Sequence, residues 1–309
     1  MSLYDNIEDM KKQIAELKKE KDAVILAHYY VMPEIQEIAD YIGDSFFLSK
    51  KATELQNDKI VFCGVNFMGE SAKMLNPSKH VYMPDMTADC PMAHMVTKEV
   101  VEEARAKYDD LAVVCYINST AEIKSWSDVC VTSANAVKVV RNLPNKYILF
   151  IPDRNLAHFV AEQVPEKEFI YNEGFCPRHE LMKASEIQER KEEHPEALVL
   201  VHPECNKEVV AMADYIGSTS GIINYAKNSD HKSFIIGTEI GVYKALKDAR
   251  PDASFYFPKT EPVCVNMKKV TLEKVIHVLE TGENEVELPK QEVLDQAKLT
   301  LTRMLELAK

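Results

Sequence analysis

The chain has 309 residues, which is enough for two or more domains with a buried core and too many for a small scaffold held by disulfides. Its 49 acidic residues outnumber its 37 basic residues, and the net charge of -12 argues against nucleic acid or an anionic membrane as the main partner. No apolar run approaches the roughly 20 residues of a membrane span, and the nine glycines form neither GxGxxG nor GxxxxGK[ST], which excludes a P-loop and a standard dinucleotide motif.

The N-terminal segment carries charges throughout and lacks the apolar stretch of a secretory signal, so we expect a cytoplasmic protein. Ile7, Met10, Ile14 and Leu17 recur at helical spacing and predict a leading amphipathic helix. In a reducing compartment, the seven cysteines are expected to be metal ligands, reactive thiols or core residues rather than a disulfide framework.

The chain contains an internal repeat. The pentapeptide ADYIG at residues 39–43 recurs at 213–217, which is 174 residues further on. A third copy lies halfway between them, at steps of 86 to 88 residues. The matching sets are His28, Tyr116 and His202; Tyr30, Asn118 and Glu204; Ser45, Ser133 and Thr219; and Cys90, Cys176 and Cys264.

Each repeat shows the same order of predicted elements. An apolar strand ends in polar residues (AVILAHYY, LAVVCYIN, ALVLVHPE), and a helical stretch and a short strand with hydroxyl residues follow (GDSFF, VCVTSA, IGSTSG). A third apolar run, another helix and a fourth run near a cysteine complete the repeat. Apolar spacing predicts that the first helical stretch covers residues 33–42 and that the corresponding one in the third repeat reaches Ile216. Strands that are apolar on both faces and alternate with helices indicate parallel sheets.

We therefore predict an α/β fold of three homologous three-layer α/β/α domains, with parallel sheets around a pseudo-threefold axis. The domains are expected at residues 1–95, including the leading helix, at 96–181 and at 182–270, followed by a C-terminal helical extension at 271–309. Both chain ends are expected to pack on the first or third repeat. His277, in the extension, is expected to be a helix residue without a catalytic role.

Polar side chains end the first strand of every repeat. Ligands of open α/β sheets bind beyond the carboxyl ends of the strands, so these residues are directed at the expected site. Each of them alone is more simply explained as a structural residue, but matching polar ends on three apolar strands favour a shared cleft. The hydroxyls of Ser45, Ser133 and Thr219 suit either anion binding at helix starts or plain N-capping.

One cysteine per repeat could serve a metal centre. Cys90, Cys176 and Cys264 would meet on a pseudo-threefold axis, where three irons of a [4Fe-4S] cluster could take the thiolates and leave a fourth iron open as a Lewis acid. Zinc is the competing metal, because His94 and His179 lie close in sequence to two of these cysteines. The remaining cysteines are Cys63, Cys115 and Cys130, which are expected in the core, and Cys205, whose role stays open.

The motifs AHYYVMPEIQEIADYIGDS, FCPRHE, HPEC, GSTSGI and EPVC, in this order and spacing, closely resemble the quinolinate synthase family over essentially the whole chain. The resemblance implies a [4Fe-4S] cluster held by Cys90, Cys176 and Cys264. It also implies condensation of iminoaspartate with dihydroxyacetone phosphate to quinolinate, with loss of phosphate and water, in de novo NAD biosynthesis. The expected partners are these small molecules, with functional coupling to an aspartate oxidase or dehydrogenase and no nucleic acid or membrane.

The resemblance also implies an active-site set. The catalytic residues would be Tyr30, His202 and Glu204, with Glu204 as general base. The substrate-binding residues would be His28, Ser45, Tyr116, Asn118, Ser133, His179, Ser218 and Thr219. Ser45 and Ser133 would hold carboxylates, and Ser218 and Thr219 would hold the phosphate. Cys264 lacks the CxxCxxC run of some family members, so disulfide regulation is not carried over. An iron-sulfur redox sensor and a zinc-dependent lyase or hydrolase remain as alternatives.

Overall fold

The structure is a computed structural model that describes residues 3–309, with side chains from residue 6 onward. Three four-stranded sheets follow one another along the chain, and in each the spatial order of the strands is second, first, third, fourth. All neighbouring strands are parallel. The predicted α/β architecture with three similar sheets is confirmed. Each sheet lies within one predicted domain range, and the domain boundaries themselves stay a prediction.

The strands are short and mostly buried. The first sheet contains β1 (Ala23–His28), β2 (Tyr41–Gly43), β3 (Lys59–Cys63) and β4 (His80–Tyr82). The second contains β5 (Leu111–Tyr116), β6 (Val129–Val131), β7 (Tyr147–Ile151) and β8 (Glu168–Tyr171). The third contains β9 (Leu198–Val201), β10 (Tyr215–Ile216), β11 (Ser233–Gly237) and β12 (Ser254–Tyr256). Every residue of β1 and β5 is buried, as expected for central parallel strands covered on both faces.

Helices connect the strands and cover the sheets. Those of the first repeat are α1 (Leu3–Glu20), α2 (Pro33–Ile38), α3 (Ser45–Glu54) and α4 (Asn66–Leu75). Those of the second are α5 (Lys98–Lys107), α6 (Ala121–Ser125), α7 (Ala136–Asn142) and α8 (Arg154–Gln163). The rest are α9 (Pro177–Glu180), α10 (Ala184–Glu193), α11 (Lys207–Val210), α12 (Thr219–Asn228), α13 (Val242–Ala249), α14 (Leu272–Thr281) and α15 (Gln291–Leu307). None of the helices in the described part of the chain has the length and apolarity to cross a membrane.

The helices after the first strands are shorter than the apolar spacing predicts. α2 ends at Ile38, and Ile42 lies in β2, paired with β1. Ile216 likewise lies in β10 rather than in a helix. In each repeat an aspartate accounts for the strand that follows this short helix. Its carboxylate accepts a backbone N–H of the first strand and so starts the second strand beside it. These contacts are Asp40 with Ile25 at 2.7 Å, Asp128 with Val113 at 2.7 Å and Asp214 with Val199 at 2.8 Å.

The two ends of the chain pack in different places. α1 packs on α14 and β1, with Ile14 fully buried, as the predicted amphipathic face requires. In the C-terminal extension, α14 packs on α1 and β3 of the first repeat, as expected, whereas α15 packs mainly against α6 and β6 of the second repeat and also contacts α4 of the first. The expectation for this end was therefore right for α14 and wrong for most of α15. The five-residue α6 is too short to cover its face of the second sheet, and the apolar face of α15, including Leu301, completes the cover.

Candidate active site

One cavity lies beside the carboxyl ends of the strands and receives side chains from all three repeats. It gathers thirteen of the fourteen residues that the sequence predicts for the site. They are His28, Tyr30, Ser45, Cys90, Tyr116, Asn118, Ser133, Cys176, His179, His202, Glu204, Thr219 and Cys264. The fourteenth, Ser218, does not line the cavity. Its hydroxyl oxygen accepts the N–H of Gly221 and caps α12.

Two histidines end their strands with the same local geometry. His28 is the last residue of β1, and its Nδ1 accepts the backbone N–H of Tyr30 at 3.1 Å. His202 follows β9, and its Nδ1 accepts the N–H of Glu204 at 3.3 Å. Because Nδ1 is the acceptor in both rings, the network assigns the hydrogen to Nε2. The Nε2 of His202 lies 3.2 Å from the Ser133 hydroxyl, on the cavity wall.

Burial keeps both of these rings neutral. It lowers the pKa of His28 to about 3, although the carboxylate of Glu204 acts in the opposite direction. It also lowers the pKa of His202 to about 3, again against the attraction of Glu204. At neutral pH the two imidazoles therefore serve as N–H donors and not as cations.

Glu204 is the centre of the hydrogen-bond network and is 4% exposed. Its Oε1 accepts the Tyr116 hydroxyl at 2.6 Å, and its Oε2 lies 2.8 Å from His179 Nδ1. Burial raises the pKa of Glu204, but His202, His179 and the Tyr116 hydroxyl together outweigh it, and the net pKa falls to about 2. The carboxylate is therefore an anion inside the cavity that can accept a proton from a ligand.

The Tyr30 hydroxyl joins the first repeat to the third. It lies 2.8 Å from Thr219 Oγ1 and 2.7 Å from Thr238 Oγ1, and the latter hydroxyl also lies 2.9 Å from Nε2 of His179. Burial, followed by the charge of Glu204, raises the pKa of Tyr30 well above its ordinary value. The phenol is neutral at physiological pH and can donate a hydrogen bond or a proton.

The predicted hydroxyl residues lie at or near helix starts. Ser45 and Thr219 are the first residues of the ten-residue helices α3 and α12, which Asp44 and Ser218 cap. Their hydroxyls therefore lie beside backbone N–H groups that have no partner within the helix. Ser45, Ser133 and Thr219 each lie after the short second strand of their repeat rather than within it. The side-chain oxygen of Asn118 is buried without a hydrogen-bond partner and remains available to a ligand.

The three cysteines that the repeat singles out all reach this cavity. Cys90 and Cys176 each precede a proline that starts a short helical turn, and Cys264 precedes the turn Met267–Lys269. Burial raises the pKa of all three thiols, and the charge of Glu204 adds to the effect at Cys90 and Cys176. A positively charged metal centre would offset this cost, and binding it would release the thiol protons.

The spacing of the cysteines tests which metal centre they fit. Across residues 3–309, the one group of three or more ligand atoms that lie within 4.8 Å of one another is Cys176, His179 and Glu204. Three thiolates on one tetrahedral zinc ion would lie about 4 Å apart, given Zn–S bonds of about 2.3 Å. The three thiols therefore do not all lie close enough together for one ion in this structure, whereas Cys176, His179 and Glu204 do. His94, the second histidine near these cysteines in the sequence, does not line the cavity; it is half exposed and lies 2.7 Å from Asp89.

Some lining residues were not predicted from the sequence. Glu239 and Arg178 are the charged examples with most bearing on chemistry. Glu239 could have been found, since it ends the third apolar run of its repeat, SFIIGTE, at a strand carboxyl end. Arg178 had no comparable pattern. The other four cysteines, Cys63, Cys115, Cys130 and Cys205, are buried away from the cavity.

Comparison with known proteins agrees with this arrangement. The family model described as "Quinolinate synthetase A protein" matches residues 12–306. The quinolinate synthase of Caldicellulosiruptor saccharolyticus is 52% identical over 303 residues, which cover 98% of this chain and 100% of that protein. The quinolinate synthase of Clostridioides difficile is 50% identical over 300 residues, covering 97% and 98% of the two chains. That of Aquifex aeolicus is 46% identical over 98% of this chain and 96% of its own. The chain belongs to the quinolinate synthase family.

Proposed function

We propose that this chain is a quinolinate synthase that condenses iminoaspartate with dihydroxyacetone phosphate, with loss of phosphate and water, in de novo NAD biosynthesis. The family match over residues 12–306 supports the activity. The observation that carries the chemical proposal is the meeting of one thiol per repeat with an anionic, hydrogen-bonded Glu204 in one cavity. We also propose a cytoplasmic location and a supply of iminoaspartate from an aspartate oxidase or dehydrogenase.

Cys90, Cys176 and Cys264 would hold a [4Fe-4S] cluster. When bound, the cluster would supply a Lewis-acidic iron for a substrate oxygen or nitrogen. The remaining chemistry belongs to the side chains. Glu204 accepts a proton as general base because it is ionised, buried and oriented by Tyr116 and His179.

Tyr30 and His202 complete the proton-moving set. The Tyr30 phenol is neutral and oriented by Thr219 and Thr238, so it can donate a proton to a developing oxyanion. His202 presents Nε2–H beside Ser133 and acts as a fixed donor that orients a substrate oxygen. His28 offers a second neutral donor of the same geometry.

The substrates bring carboxylates and a phosphate into the cavity. Ser45 and Ser133 would hold carboxylates, and Thr219, supported by the capping residue Ser218, would hold the phosphate at the start of α12. Arg178 is the one Lys or Arg among the lining residues that the structure describes, so most of the anion binding would come from hydroxyl and N–H donors. The open side-chain oxygen of Asn118 would accept a substrate N–H.

The test is an anaerobic preparation assayed for iron, acid-labile sulfide, visible spectrum and quinolinate formation. The proposal expects about four irons and four sulfides per chain. It also expects a spectral change when quinolinate or another dicarboxylate is added, and turnover that needs both substrates. A loaded cluster without turnover or ligand response would favour a redox sensor. Zinc without sulfide would favour a zinc lyase or hydrolase.

A further inference from the structure

An ion pair between a buried glutamate and a partly buried lysine lies at the boundary between the first and third repeats, next to the Cys264 loop. The side chain of Glu239 follows β11 and is 1% exposed, and its Oε1 lies 2.9 Å from Lys268 Nζ. The same carboxylate accepts the backbone N–H of Cys264 at 2.9 Å and that of Gly241 at 2.6 Å. Glu239 therefore fixes the backbone of Cys264 and also binds the lysine four residues further along.

Lys268 also contacts the first repeat, through Tyr30. The side-chain Nζ of Lys268 donates to the backbone oxygen of Tyr30 at 2.5 Å, and the backbone N–H of Lys268 donates to the carbonyl of Cys264. The Tyr30 hydroxyl is bound separately to Thr219 and Thr238. The backbone oxygen and the hydroxyl of Tyr30 are thus both held by groups outside the first repeat.

Gly241 gives an independent sign that this junction is tightly built. A Cβ at position 241 would lie 2.7 Å from Glu239 Oε2, 2.8 Å from Tyr30 Cα and 2.9 Å from Lys268 Nζ. These distances are too short for any side chain, although the backbone φ of -58° is ordinary. The buried side chain of Gln36 also donates to the Gly241 carbonyl, at 3.0 Å.

We propose that Glu239 and Lys268 are positioning residues that set the backbone of Tyr30 and the loop of Cys264 in one fixed relation. This inference rests on the proposed function, since it gives Tyr30 and Cys264 their roles. Lys268 does not itself line the cavity but contacts residues that do, so it acts through Tyr30 and Cys264. Breaking the pair frees both segments together, although they are more than 230 residues apart in the sequence.

The variants are Lys268→Met and Gly241→Ala, with Lys268→Arg to restore the charge. The matched control is Lys269→Met, which removes the same charge one residue further along, where Nζ donates to the Thr87 carbonyl. Hydrogen exchange on anaerobically prepared protein follows residues 29–32 and 262–268. We expect Lys268→Met and Gly241→Ala to raise exchange in both segments, and Lys268→Arg and the control to leave residues 29–32 unchanged.

Kinetics and cluster retention give the functional readouts. We expect kcat of Lys268→Met to fall about 100-fold with KM changed by less than about threefold, as for misplacement of a reacting group. Iron release to a chelator should be faster than in the control. Unchanged exchange at residues 29–32, or kcat and chelator release equal to those of Lys269→Met, would overturn the inference. Wild-type protein without sulfide or turnover would overturn the proposed function, and the exchange comparison would still decide the positioning claim.

Discussion

Replacing Glu204 with Gln removes the one negative charge at the centre of the hydrogen-bond network without changing its shape. Glutamine retains an oxygen that can accept the Tyr116 hydroxyl, which lies 2.6 Å from Oε1 in the wild type. Its NH2 group can donate to Nδ1 of His179 when that ring carries its hydrogen on Nε2, which faces the Thr238 hydroxyl. The substitution therefore separates the chemical role of the carboxylate from its structural role.

The expected magnitudes differ strongly between activity and stability. Loss of a general base lowers kcat by about 10²- to 10⁴-fold. Two charge-assisted hydrogen bonds of about 1.5–3 kcal/mol each become neutral ones of about 0.5–1.5 kcal/mol, which costs about 2–3 kcal/mol before the smaller desolvation cost of the amide is counted. Because Glu204 is almost fully buried, the lower desolvation cost of the amide offsets most of the lost hydrogen-bond energy. The free energy of unfolding should therefore change by less than about 2 kcal/mol.

The assay measures quinolinate formation with both substrates under anaerobic conditions, normalised to iron and sulfide content. Glu180→Gln is the matched control, because Glu180 binds Arg154 and Asn155 and does not line the cavity. We expect the control to retain kcat within about threefold. A Glu204→Gln enzyme with a full cluster and wild-type kcat would refute the assignment of the base.

Three further substitutions test other parts of the structure. When the pH falls from 7 to 5, the unfolding free energy of the wild type should decrease by about 2 kcal/mol because of His28. Burial lowers the pKa of this histidine to about 3, so the folded protein does not bind the proton that the unfolded chain takes up near pH 6.5. Urea unfolding of His28→Gln should lack this loss, and an equal pH dependence in both proteins would contradict it. Leu301→Ala should lower the unfolding free energy by about 2–5 kcal/mol, since the fully buried side chain helps α15 cover the second sheet; a loss below about 1 kcal/mol would contradict that packing. Cys63→Ala should leave iron content and turnover unchanged, because this thiol lies in the core, and loss of iron would show that it serves the metal site.

The repeat made much of the site predictable. Matching positions identified the polar strand ends and one cysteine per repeat, and parallel sheets place such positions at a common edge. The apolar spacing was less reliable after β1 and β9, because Ile38 and Ile42 fit a helical stripe as well as a helix followed by a strand. A side-chain contact, from Asp40 to the N–H of Ile25, decides between the two, and such a contact has no periodic signal.

Long-range packing was the part that the sequence could not supply. The amphipathic pattern of α15 shows which face is buried but not which sheet it covers; in the structure that face packs against α6 and β6 of the second repeat. The Glu239–Lys268 ion pair is a second long-range contact that the sequence does not reveal. Both residues were visible as charges near the ends of predicted elements, yet only the fold brings Lys268 to the backbone of Tyr30.

The central claim is that three thiols, one from each repeat, hold a single iron-sulfur cluster in this cavity. The most direct measurement is iron and acid-labile sulfide per chain in anaerobic wild type and in Cys90→Ala, Cys176→Ala and Cys264→Ala, with Cys205→Ala as control. We predict about four of each in the wild type and the control, and strong loss of both, together with turnover, in each of the three variants. Full metal content and turnover in any one of the three, or a wild type without sulfide, would contradict the account.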